Sequence, residues 1–284
     1  MFSYRHSYHA GNHADVFKHC VLIALLDYFT HKPKGISLID THAGAGIYDL
    51  HAAHASTSQE WLSGINLVWQ SKQPSSVLLR RYLDVIGLFN TSKMLRTYPG
   101  SPAIMGKLMR TQDYLHLFEL HPTDVPLLKE NVRAHQEFNP SRIHIHIDNG
   151  FSAPKRLLPP PSRRGLTLID PSYEDKRDYA HVLQALTEGL NRFTSGTYMV
   201  WYPCLPRYES RAFAKHLQYL PTQNWLQIEL SIGTRTQAKL TRSGLFIINP
   251  PWNLAQQLEA LLPELVSLLA IDNTADYLLN KSVA

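Results

Sequence analysis

Ile36-Ser37-Leu38-Ile39-Asp40-Thr41-His42-Ala43-Gly44-Ala45-Gly46 is an apolar run that stops in a polar residue and a glycine pair. That is the pattern of a buried strand giving way to a tight turn. Two glycines one residue apart let the backbone pass close beside a bound nucleotide, and open α/β sheets bind ligands at the carboxyl ends of their strands. The turn is not a dinucleotide fingerprint. Asp49 stands where the third Gly or Ala of GxGxxG belongs, and no Lys-Ser/Thr pair follows as in a P-loop. Alone, the loop is equally an ordinary tight turn, so its meaning depends on its surroundings.

Six further apolar runs end in the same abrupt way, at 114–119, 143–147, 166–170, 197–202, 225–232 and 245–249. Helical periodicity lies between several of them: Val125, Leu127, Leu128 and Val132 on one stretch, Val182, Leu183, Leu186 and Leu190 on another. Strand alternating with helix predicts an α/β fold, a seven-stranded, mostly parallel, doubly wound sheet. More than sixty residues separate the first two runs. Their apolar positions recur at three and four, which predicts a helical insertion over 50–110 within a single domain of 1–284.

The strand ends carry the chemistry. Glu119 closes the second run, where a carboxylate can accept from both ribose hydroxyls of an adenosine-containing cofactor. Asp148-Asn149-Gly150 follows the third, with polar groups for an adenine edge and a glycine for close approach. Asp170-Pro171-Ser172-Tyr173 closes the fourth. The lone pair of an adenine N6 is delocalised into the ring, so a catalyst must draw the amine towards tetrahedral geometry. Asp170 and the Pro171 carbonyl can accept its two hydrogens and aim the lone pair at the methyl of a sulfonium, while Tyr173 offers a stacking face. Asn249-Pro250-Pro251-Trp252 fits the usual Asp/Asn-Pro-Pro-aromatic pattern more literally, but it follows the seventh strand. It reads as a structural turn with Trp252 packed.

The N-terminal stretch from Tyr4 to His19 is dense in histidine and aromatic residues. With Arg5 and Lys18 it can line a substrate channel by stacking and phosphate contact. His9 and His13 lack the HExxH glutamate, and Cys20 and Cys204 lack CxxC spacing, so no metal is expected and both thiols are expected to be buried. A net charge of +5 favours a polyanionic partner. No run of eighteen apolar residues and no signal-peptide pattern occurs, from which a cytoplasmic protein without membrane contact is expected.

These residues resemble the bacterial 23S ribosomal RNA adenine-N6 methyltransferase RlmJ family. The likeness is carried by the opening run from Ser3 to His19, by Asp40 to Gly46, by Tyr98-Pro99-Gly100-Ser101-Pro102, by Glu119-Leu120-His121-Pro122, by Arg163-Arg164-Gly165 and by Asn249 to Trp252. The resemblance implies a Rossmann-like methyltransferase fold and a monomer acting on 23S ribosomal RNA. It implies S-adenosyl-L-methionine held by His19, His42, Ser101, Glu119, Asn149, Gly150 and Asp170. Asp170 would be catalytic, and Tyr4, Tyr173 and Pro171 would meet the substrate. Ser172 and Asn149 depart from that family, which has Pro and Asp there. A DNA adenine-N6 methyltransferase shares the Asp-Pro-x-Tyr chemistry, and an inactive nucleic-acid-binding protein is the reading that Ser172 leaves open. The missing third glycine counts against a nicotinamide-dependent oxidoreductase.

Overall fold

The stretch after Asn12 is too evenly apolar to have a solvent side, and it folds as a core helix, α1 (His13–Thr30), buried at every residue from His13 to Leu26. Asn12 caps it by accepting from the Asp15 N–H at 3.0 Å. The computed structural model describes residues 5–71, 73–91, 94–134, 140–234 and 240–282. After α1 come β1 (Ser37–Asp40), the short β2 (Ile47–Asp49), helices α2 (Ala53–Ser58), α3 (Ile65–Trp69) and α4 (Val77–Gly87), and β3 (Thr97–Pro99). Regular alternation follows through α5 (Ser101–Leu108), β4 (Tyr114–Phe118), α6 (Asp124–Ala134), β5 (Ile143–His146), α7 (Ala153–Leu157), β6 (Gly165–Ile169), α8 (Asp178–Arg192) and β7 (Thr197–Pro203). The chain continues with α9 (Tyr208–Gln218), β8 (Trp225–Ser231), β9 (Arg242–Ile248), α10 (Leu254–Leu269) and β10 (Asp276–Lys281).

The main sheet runs β10-β8-β9-β7-β6-β1-β4-β5. Its β5, β4, β1, β6 and β7 segment is parallel, whereas β9 is antiparallel to both β7 and β8, and β10 to β8. The sheet therefore has eight strands where seven are read from the sequence. The eighth, β10, is a half-exposed edge strand that starts at Asp276 and ends at Lys281, so it lacks the apolar run that marks the others. β2 and β3 form a separate antiparallel pair.

Alternate side chains of the strands feed two cores. Leu38, Leu117 and Leu168 pack with α1 and α10 on one face; Ile39, Phe118 and Ile169 pack with α8 on the other. Residues 50–110 hold α2, α3, α4, β3 and α5. Ile65, Val68, Tyr82 and Ile86 of this stretch share the α1 and α10 core, so it extends the main core. Cys20 is buried and Cys204 only half-buried.

Candidate active site

Register gathers the strand-end acids. Asp40 lies level with Leu117 of β4 and Leu168 of β6, so Glu119 and Asp170 each stand two residues beyond it at one edge of the sheet. Gly44 and Gly46 turn the chain there with φ of 61° and 82°, a region that favours glycine. Glu119 folds against this turn. Its carboxylate accepts from the N–H groups of Gly44 at 2.7 Å, Leu120 at 2.8 Å and His121 at 2.7 Å. Burial raises its pKa.

Asp40 sits beneath the turn and accepts from the Ser101 hydroxyl at 2.7 Å and the His42 N–H at 3.2 Å. Burial pushes its carboxyl up to about 7. Ser101, expected at the cofactor, thus spends its proton on Asp40 and is 6 % exposed. His42 leaves the turn with Nδ1 2.7 Å from Thr41 Oγ1 and its ring edge-on to Phe151 at 4.8 Å. Burial lowers it to about 3, so it is neutral. His19 is buried on α1, its Nδ1 2.8 Å from the Tyr98 hydroxyl. Its Nε2 has no partner among the described residues, and burial holds it at about 3.

The loop after β5 joins this edge. Asn149 accepts from Phe151 N–H at 3.0 Å, while the neighbouring Asp148 accepts from the Asn149 N–H at 2.7 Å and pairs with Arg156. Both side chains lie at the surface. Gly150 is fixed by packing: a Cβ there would come 1.7 Å from the Thr41 carbonyl oxygen. The glycine turn, Glu119 and the exposed Asn149 suit an adenosine-containing cofactor, because each offers a polar group or close backbone approach along one edge.

Asp170 follows β6 and is the hub. Lys18 donates to its Oδ2 at 2.6 Å and pairs with Asp15 at 2.9 Å. Asp15 in turn holds His6 Nε2 at 2.9 Å and accepts from the Gly11 N–H at 2.9 Å. Burial alone would raise Asp15, yet His6 and Lys18 outweigh it and hold the carboxyl well below its usual range. The two carboxylates raise Lys18 despite its burial. Lys18, read from the sequence as a phosphate contact, is 4 % exposed and cannot serve as one. It is an internal counter-ion, which a partner 152 residues away kept out of sight in the sequence.

Tyr173 is a second correction. Its backbone is left-handed at φ 55°, and its ring is 1 % exposed against Tyr179, Phe213 and Trp201. Its hydroxyl donates to the Trp201 carbonyl at 2.7 Å, so it offers no open stacking face. Pro171 is buried beside it. Tyr4 lies outside the described residues.

The Asn249 turn stands elsewhere. Because β9 runs antiparallel, its end lies beside Thr197, where β7 begins, and Asn249 Nδ2 donates to the Thr194 and Gly196 carbonyls. That is the edge opposite Asp170, as its place after the last sequence-read strand suggests. Trp252, expected to pack, is 84 % exposed.

The insertion touches the N-terminal motif directly. Glu60 holds His9 Nδ1 and the Asn12 amide at 3.0 Å, and Ile65 N–H donates to Gly11 carbonyl at 2.8 Å. The imidazole of His9 is raised by its bond to Glu60. Gly64 is pressed onto the same turn, with a virtual Cβ 2.1 Å from Gly11 carbonyl oxygen.

A family model described as Ribosomal RNA large subunit methyltransferase D, RlmJ, matches residues 33–280. Two curated relatives are both named Ribosomal RNA large subunit methyltransferase J. The one from Escherichia coli (strain K12) is 44% identical over 270 residues, covering 95% of this chain and 94% of its own. The one from Haemophilus influenzae is 41% identical over 280 residues, covering 98% and 97%. A crystal structure of a Legionella pneumophila protein superposes with a TM-score of 0.88 at 35% identity, over 96% of this chain and 98% of that one.

Proposed function

The chain belongs to the RlmJ family of ribosomal RNA large subunit methyltransferases, and from that premise we propose that it methylates the exocyclic N6 of an adenine in 23S ribosomal RNA, as a cytoplasmic monomer. The activity is S-adenosylmethionine-dependent ribosomal RNA methylation. When bound, that cofactor supplies an electrophilic methyl group on a sulfonium.

The observation that carries the N6 reading is the fixed carboxylate of Asp170 beside the glycine turn, with Lys18 on Oδ2 at 2.6 Å. Lys18 holds the carboxylate in place through that bond. The base amine gives one hydrogen to Asp170 and the other to the Pro171 carbonyl, so its lone pair points along the sheet edge. Ser172 leaves both acceptors in place. His19, His42, Glu119, Asn149 and Gly150 hold the cofactor by its polar edges, and Ser101 acts through Asp40 beneath the turn. The Tyr173 ring is committed to the core, and by the family resemblance Tyr4 touches the RNA substrate. The base must leave its stack to reach Asp170, which unpaired RNA permits at least cost.

The test is transfer of radiolabelled methyl from S-adenosylmethionine to unmodified 23S RNA and to DNA of the same sequence, with nucleoside analysis. Labelled N6-methyladenosine from RNA alone is expected. Label on another atom overturns the N6 assignment, and label in DNA overturns the RNA preference.

A further inference from the structure

On the outer face of β4 and β5, side chains that should be a mixed solvated surface form a continuous row of rings. Phe118 stacks on His146 at 4.4 Å, His146 on His116 at 5.4 Å, His116 on His144 at 5.0 Å and His144 on Tyr114 at 6.2 Å, with interplanar angles between 15° and 25°. The Arg142 guanidinium lies 4.3 Å over Tyr114 and closes the row at that end. Phe118, at the other end, immediately precedes Glu119, so the row starts at the cofactor edge and runs outward to solvent, where Tyr114 is 41 % exposed.

The outer members of the row, Tyr114, His116 and His144, form one wall of a cleft of about 490 Å³ whose other wall is the stiff 157–162 segment with three prolines. Arg156 lines the cleft and reaches over Phe118 at 5.8 Å. His116 Nδ1 and His146 Nε2 lie 3.2 Å apart, so one ring donates and the other accepts, and at least one is neutral. Burial and the neighbouring histidines push His116 down to about 4. Tyr114, His116 and His144 against a proline wall, with Arg156 in the lining and Arg142 over the Tyr114 ring, form a slot for a flat, uncharged heteroaromatic ring whose flanking groups are anionic.

We propose that this cleft is a second RNA subsite, which takes an unpaired base of the substrate RNA away from the target adenine, with Arg142 and Arg156 meeting the flanking phosphates. The proposal rests on RNA being the substrate. The outward edges of the Tyr114 and His144 rings hold the base, and the two arginines, with Asp148 opposing Arg156, supply charge complementarity.

The experiment measures filter-binding Kd for unmodified 23S RNA, across a salt series, with the full chain saturated in S-adenosylhomocysteine. Circular dichroism and thermal melting serve as fold controls. Tyr114→Ala/His144→Ala, at two surface positions, should weaken RNA binding about tenfold without changing the salt slope. Arg142→Gln/Arg156→Gln should flatten the slope of log K against log salt by about 1.4 to 1.8. Cofactor affinity should hold in both variants. RNA binding within twofold of wild type for both variants, with melting unchanged, overturns the subsite and leaves the row to some other partner. Because the readout is binding, a wild-type chain that binds the RNA but does not methylate it would sink the activity reading and leave the subsite standing.

Discussion

Asp170→Asn keeps the size of the side chain and a hydrogen bond to Lys18 while removing the charge. Turnover should fall about 10²-fold or more in labelled methyl transfer, with the far-ultraviolet spectrum unchanged; a rate near wild type would remove Asp170 from the chemistry. Gly150→Ala tests a different point. A methyl 1.7 Å from the Thr41 oxygen cannot be accommodated without moving β1 or the β5 loop, so urea unfolding should show a loss of about 3 kcal/mol. If Gly150 mattered only for cofactor approach, stability would be unchanged. At this scale the sequence was informative about position wherever a residue stands at a strand end: Gly44, Gly46, Glu119 and Asp170 lie where their runs stop. It was silent where the role is set by a distant partner. Nothing near Lys18 in the chain announces Asp170, and nothing in Asp-Pro-Ser-Tyr announces that the ring will turn inward to the Trp201 carbonyl.

The elements divide similarly. Buried parallel strands were readable because their apolar runs stop sharply. β10 was not, since an edge strand carries charge by necessity, and the three-residue strands β2 and β3 have no period to detect. That β9 runs against its neighbours decides which proline turn faces the cofactor, and its direction is a matter of topology rather than local pattern. The segment between α2 and α3 braces the N-terminal turn through Glu60. Both partners of the His9–Glu60 pair are more than a third exposed, so Glu60→Ala should cost under about 1 kcal/mol globally. Hydrogen exchange should nonetheless quicken at residues 9–13, where Glu60 holds His9 and Asn12. Unchanged exchange there would leave the insertion without this bracing role.

At the scale of the whole molecule, burial depresses several imidazoles, while Glu60 raises that of His9. Burial lowers His13 and His116 to about 4 and His19 and His42 to about 3. A depressed histidine contributes stability above its unfolded value near 6.5 that is lost as pH falls towards the folded value. Asp40, raised to about 7, acts in the opposite sense, contributing stability below about 4 that is lost as pH rises through 7, and Glu119 and Asp178 are raised as well. With His146, five depressed imidazoles outweigh three raised carboxyls and the raised His9, so the urea midpoint should fall between pH 6.5 and 4, and Asp40→Asn should steepen the fall. A midpoint that rises on acidification would contradict this balance. The all-round burial of α1 has a consequence for synthesis. Its cover comes from α4, α5, β9 and α10, so this helix, once synthesised, awaits for its full cover an element ending at Leu269. At 5–20 residues per second that interval is roughly ten to fifty seconds. For that time an apolar helix is incompletely covered in the nascent chain, and the yield of the protein in cells should depend on the holdase chaperones that meet emerging polypeptides.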